Sequence, residues 1–156
     1  MPTPDFVLAL RRRIGTHPLW LSGVSAVVLD QDRLLLAQRP DGRWTVVSGI
    51  LEPGEQPARA VVREVLEETG VDAEVEALLD VVAQEPHRYP NGDRVQFLDL
   101  TFRCRYLGGR AHVADDENVD VRWFRLDGLP QLDRRNQERV ERALRPDPSG
   151  QPWFAR

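Results

Sequence analysis

Three glutamates in the first half of the chain are spaced so that a helix would bring their carboxylates together. Glu64, Glu67 and Glu68 occupy positions i, i+3 and i+4. At roughly 100° per residue, a helix places them within an arc of about 100° on one face. Gly70 is a typical helix stop, so they fall in the last turn, where backbone carbonyls are already negative. Carboxylates at this spacing repel one another, and the arrangement therefore predicts a bound cation.

The ligand type narrows the choice of cation. Carboxylates without Cys or His select a hard ion such as Mg²⁺, Mn²⁺ or Ca²⁺ in preference to Zn²⁺. An EF-hand calcium loop needs alternating Asp or Asn ligands around a central Gly, and this segment lacks that pattern. Mg²⁺ keeps several waters and often completes its coordination with substrate phosphate oxygens. We therefore expect Mg²⁺, with Mn²⁺ as the alternative, in a metal-assisted attack of water on a phosphate chain.

A longer fixed pattern surrounds these glutamates. Residues 49–71 read GILEPGEQPARAVVREVLEETGV. The fixed positions, before an aliphatic residue at 71, are Gly49, Glu55, Arg63, Glu64, Glu67, Glu68 and Gly70. At average residue frequencies, seven such identities coincide on the order of once in 10⁸ starting points. The segment resembles the Nudix box at every position, and on it the chain is identified as a member of the Nudix hydrolase family.

One stretch before the box departs from the family pattern. Many Nudix relatives read Trp-x-x-Pro-Gly-Gly into the box, whereas residues 44–49 of this chain read WTVVSG. The missing proline makes the turn less rigid. Gly49 is retained, and with it the close backbone approach that the metal requires. We interpret the change as the mark of a subgroup in which catalysis is intact.

The resemblance implies a role for each carboxylate of the box. Glu64, Glu67 and Glu68 would bind the metal, and Gly49 would bring its backbone close to the ion. Glu64 and Glu68 are the expected pair for direct coordination. One of the glutamates would position or deprotonate the attacking water. The sequence leaves open which of the three does so, and Glu67 could be either ligand or base.

Two further residues complete the expected catalytic set. Arg63 is expected to pair with a carboxylate such as Glu55 and to hold the loop against the helix. Glu117 ends an acidic run at residues 115–117, where some family members carry a further metal ligand or base. An exposed acidic loop is the alternative for this run. Glu52, in the box loop, is a candidate for contact with a second ion through water.

Composition limits the class of protein. The 156 residues suffice for one domain with a real core, and 41% hydrophobic with 29% charged residues is typical of a soluble globular protein. A formal net charge of −4 argues against general affinity for nucleic acid. Cys104 is the only cysteine. An intramolecular disulfide is therefore impossible, and we expect a reducing compartment, the cytoplasm.

Hydropathy argues against a membrane partner. No apolar run approaches about 20 residues, so we expect no transmembrane segment. The apolar run at residues 6–10 is short and is followed, instead of preceded, by the arginines at residues 11–13, which is not the pattern of a secretory signal. The expected partner is a small nucleotide, without nucleic acid or membrane. The oligomeric state stays open, with a homodimer among the alternatives.

Hydrophobic patterns predict strands mixed with helices. Strands are predicted over residues 24–29, 34–37, 44–47, 71–82, 98–106 and 119–124. Alternation along residues 98–106 predicts a half-buried strand, with Asp99 and Thr101 on its open side. Strands with helices at separate points imply a mixed sheet covered on both faces. The resemblance implies the same fold class, an α/β/α sandwich with a mixed β-sheet.

Three helices are predicted around this sheet. Asp5 is expected to cap a short helix ending at Gly15. The box helix begins near Pro57 and ends at Gly70. The closing helix spans residues 132–144, with its Val and Leu at 140 and 144 facing inward. The expected organisation is an N-terminal arm or short helix over residues 1–19, the Nudix domain over 20–145 and a tail over 146–156.

The resemblance also suggests a substrate class. Residues 89–94 and 98–102 read YPNGDR and LDLTF, which is similar to relatives grouped with ADP-ribose pyrophosphatases. ADP-ribose or another nucleotide sugar is therefore expected. The alternative is an ordinary or oxidised nucleoside triphosphate. A non-catalytic nucleotide sensor is a third reading, but such modules typically lose carboxylates that this chain retains.

Side chains that could contact a nucleotide are spread along the chain. Candidates for stacking on the base are Phe6, Trp20, Trp44, Tyr89 and Phe97, with the core as the alternative place for Trp44. Candidates for contact with phosphate or ribose are Arg39, Arg88 and Arg94. Nothing in the sequence ranks them.

Overall fold

The computed structural model describes residues 3–145 and 149–154. Its helices are α1 (Asp5–Ile14), α2 (Pro57–Thr69) and α3 (Arg134–Leu144). Its strands are β1 (Leu19–Asp30), β2 (Arg33–Gln38), β3 (Trp44–Thr45), β4 (Val47–Ile50), β5 (Val71–Ala83), β6 (His87–Arg88), β7 (Arg94–Gly109) and β8 (Asp120–Arg125). Within the described residues these eight strands form one mixed sheet.

The sheet has a central parallel pair, β1 and β7, in register from Leu19↔Val95 to Leu29↔Arg105. The main strand order is β3-β2-β1-β7-β5, and β4, β6 and β8 pair with β1, β7 and β2 respectively. These remaining pairs are antiparallel. Because β4 lies on β1 in the register Val24↔Gly49, the first glycine of the box is fixed to the centre of the sheet.

Each face of the sheet is covered by a helix. The apolar stripe of α2, which includes Val61 and Val65, packs on one face with Val24, Val28 and Phe102. On the other face, Val140 and Ala143 of α3 pack with residues of β1 and β2, among them Val27, Leu34 and Leu36. Two separate cores on opposite faces confirm the predicted α/β/α sandwich.

The box helix begins and ends where the sequence predicts. Pro57 is at the start of α2, where a missing amide hydrogen costs nothing. Gly70 follows the last helical residue in the left-handed conformation, with φ of 66°, and its amide donates to Leu66 O at 2.9 Å. Glycine adopts this backbone conformation without a Cβ penalty. The turn that carries the three glutamates is therefore held at a defined end.

The N-terminal helix packs beside the sheet and contacts a hairpin. Val7 of α1 is buried with Leu21 and Val95. Near the other end of the helix, Arg11 donates to the carbonyl of Arg94 at 2.8 Å. Arg94 follows the turn between β6 and β7, so α1 and this hairpin form one wall over the sheet.

The predicted half-buried strand is wrong for part of β7. Asp99 is 2% exposed and Thr101 is 0% exposed, although both lie on the side that the alternation predicts to be open. The reason is α3, whose Arg135 and Arg139 reach down to Asp99 at 3.2 Å and 2.6 Å. Polar residues on this face thus mark a buried ion-pair cluster and not a solvent-facing side.

The strand predicted over residues 44–47 is divided into β3 and β4. At Val46 the backbone amide points to Asn136 Oδ1 of α3, 3.4 Å away, and leaves the ladder. Gly49 lies within β4. Pairing with β1 extends this strand up to Ile50, so the loop of the box begins only after residue 50.

Two details at helix ends also differ from prediction. Leu144 is 41% exposed. The inner positions of α3 include Asn136, Val140 and Ala143, and the residue that follows Ala143 is rotated about 100° from it, toward the outside of the helix. Asp5 is the first residue of α1 and not its cap, since Pro4 occupies the N-cap position. The predicted helices themselves are confirmed. Among the described residues, no helix has the length and apolarity needed to cross a membrane.

Candidate active site

Two of the three glutamates point into the protein. Side chains of Glu64 and Glu68 are 0% and 1% exposed, whereas that of Glu67 is 47% exposed. Residues four apart share a helix face, and here that face is turned toward the sheet. Glu67 lies at the edge of the same turn, where it accepts from Arg63 Nη1 at 3.0 Å.

The two buried carboxylates are incompletely hydrogen-bonded. Glu64 Oε2 and Glu68 Oε1 are buried without a hydrogen-bond partner among the described residues. Buried polar atoms in native proteins almost always have a partner, and an unpaired carboxylate oxygen is more costly than most. The pair therefore fits a bound cation.

Burial also changes the acidity of these groups. It raises the pKa of Glu64 to about 7, against the opposing charge of Arg63. It raises the pKa of Glu68 to about 7 as well, against Arg39 and a hydrogen bond from Asn118. A cation bound between them would favour the ionised forms and reverse both shifts.

These shifts predict a pH dependence of stability for the protein without metal. In the unfolded chain both carboxyls ionise near 4.5, whereas in the folded protein they ionise near 7. When the pKa is higher in the folded protein, the resulting stabilisation is complete at pH values below the unfolded pKa. It is lost as the pH rises through the folded pKa. The free energy of unfolding in EDTA should therefore decrease between about pH 4.5 and 7, by up to roughly 3 kcal/mol per carboxyl. Urea titrations across this range measure it, and a free energy of unfolding that stays constant or rises would contradict it.

Gly49 brings its backbone against Glu64. A Cβ atom on Gly49 would stand 2.0 Å from Glu64 Cδ and 2.1 Å from Oε1. Only a residue without a side chain can therefore occupy this position of β4 while Glu64 keeps its place. The close packing of backbone and carboxylate is what the box pattern leads one to expect of this glycine.

Side chains from outside the box also lie next to Glu68. Asn118 Nδ2 donates to Glu68 Oε2 at 2.9 Å, and Arg39 Nη2 lies 4.0 Å from the same oxygen. Arg39 Nη1 also donates to Glu117 Oε2 at 2.8 Å. The acidic run at residues 115–117 is thereby brought next to the box helix. Asn118 was missed by sequence reasoning, and its only signal was its place directly after Glu117.

Arg63 and Glu55 form the predicted pair. Arg63 Nε and Nη2 donate to Glu55 Oε1 and Oε2 at 2.8 Å and 2.9 Å. This two-point contact joins the loop before α2 to the last turn but one of the helix. Through Nη1, 3.1 Å from Glu64 Oε1, the same guanidinium holds the carboxylate end of the site.

Replacing Arg63 by lysine should lower kcat about tenfold and leave the fold intact. Lysine keeps the positive charge but cannot form the planar two-point contact with Glu55. The loop and Glu67 would lose their fixed positions. Misplacement of these groups lowers kcat, and we expect little change in the free energy of unfolding. Steady-state kinetics and thermal denaturation measure the two effects. An unchanged kcat would show that the clamp has no part in catalysis.

A cavity of about 660 Å³ opens beside these residues. It lies between the sheet, α1 and the β6–β7 hairpin. Residues next to the box carboxylates that line it are Arg39, Ser48, Gly49 and Glu117. Apolar and aromatic residues of the lining are Val7, Leu21, Ile50, Tyr89, Val95 and Phe97, and polar Arg11, Gln84, Asn91 and Asp93 lie among them. The cavity therefore combines charged residues with apolar and aromatic ones that suit a ring.

The nucleotide-contact candidates divide around this cavity. Arg39, Tyr89 and Phe97 line it. Trp44 instead packs edge-on against Phe124 in the α3-side core, with ring centroids 4.7 Å apart. The other candidates, Phe6, Trp20, Arg88 and Arg94, are not part of the wall that the described residues form.

The floor of the cavity holds a charged cluster that sequence reasoning missed. Asp99 accepts from Arg139 Nη2 at 2.6 Å and from Ser25 Oγ at 3.0 Å, and these three residues line the cavity. Beneath them, Asp80 pairs with Arg135 and Arg142. Burial alone would raise the pKa of Asp99, but the charge and hydrogen bond of Arg139 hold it below its usual value. Asp99 is thus an ionised, buried acceptor.

As the side chains stand, no three His, Cys, Asp or Glu residues within 3–145 and 149–154 converge on one metal-sized point. The site nevertheless fits a divalent ion at Glu64 and Glu68, because each has an unpaired buried oxygen and Gly49 allows close approach of its backbone. All these donors are oxygens, the ligands that Mg²⁺ and Mn²⁺ prefer.

Comparison with known proteins agrees with the box and the fold. A model of the NUDIX domain matches residues 19–144. The NAD-capped RNA hydrolase NudC of Stutzerimonas stutzeri is 34% identical over 122 residues, 76% of this chain and 41% of that protein. A MutT-like protein of Streptomyces ambofaciens is 38% identical over 112 residues, 70% of this chain and 67% of that protein.

Similarity extends to solved structures. An ADP-ribose pyrophosphatase from Streptococcus suis has a TM-score of 0.67 and 27% identity, covering 85% of this chain and 96% of that one. This chain spans about two fifths of the length of the NudC proteins it matches. The matched region includes the sheet, the box helix and the closing helix. This chain belongs to the NUDIX family.

Proposed function

We propose that this protein is a divalent-metal-dependent hydrolase that cleaves the pyrophosphate bond of a nucleoside diphosphate derivative. The observation that carries the proposal is the buried pair Glu64 and Glu68, whose unpaired oxygens lie behind cavity-lining residues: Gly49 packs against Glu64, and Arg39 approaches Glu68. A fold without such a function would gain stability from neutral residues at both positions.

Glu64 and Glu68 are the residues that would hold the ion, with the backbone of Gly49 beside them and Glu67 at the rim. When bound, Mg²⁺ or Mn²⁺ supplies charge stabilisation to the phosphate chain and acidifies the attacking water. Arg63 holds the loop of the box against the box helix. Its contacts with Glu55 and Glu67 leave the carboxylates in one arrangement, so little reorganisation is needed during the reaction.

The residues on the opposite wall complete the chemistry. Arg39 carries a positive charge into the cavity and can donate to a phosphate oxygen. Glu117 lines the same cavity and would accept the proton of the attacking water. Glu67 is the alternative acceptor, at the edge of the box helix. Water attacks one phosphorus, the bond to the bridging oxygen breaks, and the other phosphate leaves as an anion.

The favoured substrate is ADP-ribose or another nucleotide sugar. The lining residues Tyr89 and Phe97 suit a base or sugar ring, while Arg39 suits a diphosphate. The names of the relatives support the same chemistry, since ADP-ribose and the NAD cap both contain ADP joined to a second group. Nucleoside triphosphates, ordinary or oxidised, are the alternative.

A substrate panel with and without Mg²⁺ tests the proposal. The panel contains ADP-ribose, UDP-glucose, NAD, an NAD-capped RNA, diadenosine diphosphate and an oxidised nucleoside triphosphate. The expected result is Mg²⁺-dependent release of AMP from ADP-ribose at the highest kcat/KM. Release of pyrophosphate from the triphosphate alone would replace the favoured substrate by the alternative. No product from any member would leave the protein as a sensor and overturn the proposal.

A further inference from the structure

We infer that Asp99 determines specificity by accepting a hydrogen bond from a hydroxyl group of the sugar attached to the cleaved pyrophosphate. The inference rests on the proposed function and adds a contact for the sugar to it. Asp99 lies on β7, outside the box, in the floor of the cavity.

The two carboxylate oxygens of Asp99 are used unequally. Oδ2 accepts from Arg139 Nη2 at 2.6 Å, Arg135 Nη2 at 3.2 Å and Thr101 Oγ1 at 3.3 Å. Within the described part of the chain, Oδ1 accepts only from Ser25 Oγ, at 3.0 Å. With one donor against three on Oδ2, Oδ1 is the oxygen that can accept a further hydrogen bond, although Asp99 is only 2% exposed.

Gly23 lies next to Asp99 Oδ1. A Cβ atom on Gly23 would stand 3.4 Å from Asp99 Oδ1 and 3.6 Å from Gly49 O. Gly23, Ser25, Gly49 and Asp99 all line the cavity. The space over Gly23 thus connects Oδ1 to the glycine that packs against Glu64. A group that fills this space lies next to the diphosphate, where the first sugar must be.

The chemistry of the site selects a hydroxyl group. Asp99 is held ionised by Arg139 and Ser25, so it accepts hydrogen bonds and donates none. Its guanidinium partners already balance its charge, so a neutral donor suits Oδ1 better than a cation. A buried site built to bond a hydroxyl strongly rejects an analogue that lacks it, because the protein group is then left unpaired.

The substitution Gly23→Ala tests this without disturbing the ion pairs. The backbone of Gly23 is not in the left-handed region, and the added Cβ makes ordinary contacts of 3.4 Å with Asp99 Oδ1 and with Phe97 Cδ1. The methyl group occupies the space in which the hydroxyl would approach Oδ1. Gly128→Ala is the matched control, since no atom lies within 4 Å of its Cβ position.

The readout is kcat/KM with Mg²⁺ for ADP-ribose and two analogues. One analogue lacks the 2′-hydroxyl of the adenosine ribose, and the other lacks the 2-hydroxyl of the terminal ribose. Wild type should prefer ADP-ribose over one of them by about tenfold or more. That analogue identifies which sugar reaches Asp99. In Gly23→Ala the preference should fall below about twofold, with KM raised more than kcat is lowered, and Gly128→Ala should behave as wild type.

Each outcome decides the inference. Equal kcat/KM for all three substrates in wild type, or an unchanged preference in Gly23→Ala, overturns it while the proposed hydrolysis stands. A wild type that hydrolyses none of the three overturns the proposed function for ADP-ribose and the inference with it. Asp99→Asn is the second variant: if it folds, as near-ultraviolet circular dichroism will show, it should lose the preference in the same way.

Discussion

Replacing Glu68 by glutamine should abolish most of the activity and stabilise the metal-free protein at the same time. The loss of a charged ligand for the ion should lower kcat about 10³-fold, since metal-assisted stabilisation is worth several kcal/mol. Glutamine has almost the same shape and can still accept from Asn118. It removes only the charge.

The gain in stability follows from burial. Glu68 is 1% exposed and burial raises its pKa to about 7, so at pH 8 the folded protein without metal holds a carboxylate that is poorly solvated. A neutral side chain avoids this cost, and we expect the free energy of unfolding in EDTA to rise by about 1–3 kcal/mol. Glu64→Gln should behave alike.

Glu141→Gln is the control for both effects, because Glu141 is an exposed glutamate on α3. It should change neither kcat nor the urea midpoint at pH 8. A Glu68→Gln protein that keeps wild-type turnover would remove Glu68 from the site. A Glu68→Gln protein that is less stable in EDTA would mean that the carboxylate itself makes a stabilising contact, and the argument for a bound cation would fail.

The second large effect is expected from Gly49→Ala. The added Cβ would stand 2.0 Å from Glu64 Cδ, a distance at which the carboxylate has to move. We expect kcat to fall about 10²-fold through misplacement of Glu64 and the free energy of unfolding to fall by about 1–3 kcal/mol through overpacking. Kinetics at saturating Mg²⁺ and urea denaturation measure the two changes, with Gly128→Ala as the matched control.

A double-mutant cycle isolates the contact. In a Glu64→Ala background the three atoms nearest the new Cβ are gone, so Gly49→Ala should then cost less than about 0.5 kcal/mol of stability. Additive losses in the double variant would show that Gly49 is needed for the strand itself and not for its contact with Glu64.

The parts of the fold that follow local rules were predictable. The box helix has a proline at its start, an apolar stripe and a glycine at its end, and each acts within a few residues. The predicted pair of Arg63 and Glu55 lies within one loop and one helix, eight residues apart. Such contacts are encoded by short spacings, which a sequence displays directly.

The cavity floor could not be found in this way. Asp99 and Arg139 are 40 residues apart, and Asp80 and Arg142 are 62 apart. In the sequence, Asp99 reads as the polar side of an alternating strand, and the arginines of α3 read as a solvated helix face. Only the packing of α3 over β5 and β7 turns both into one buried cluster. Register between distant segments decides such contacts, and a single sequence does not display it.

The position of Gly49 shows the same limit on a smaller scale. The glycine itself is a fixed element of the box, but its place in β4 depends on its pairing with Val24 of β1, next to the pair Gly23↔Ile50. Gly49 O then lies near Gly23, and the Cα of Gly49 packs against Glu64. The sequence therefore predicts which residues belong to the box better than it predicts the surfaces against which they pack.

The most direct test of the account is hydrolysis of ADP-ribose in ¹⁸O-labelled water, followed by ³¹P NMR, with Mg²⁺ and with EDTA. The account predicts AMP and ribose 5-phosphate with Mg²⁺, with one ¹⁸O atom in the phosphate of a single product, and at least about 10³-fold less product in EDTA. Equal turnover in EDTA, or label bonded to carbon, would contradict a metal-dependent attack of water on phosphorus.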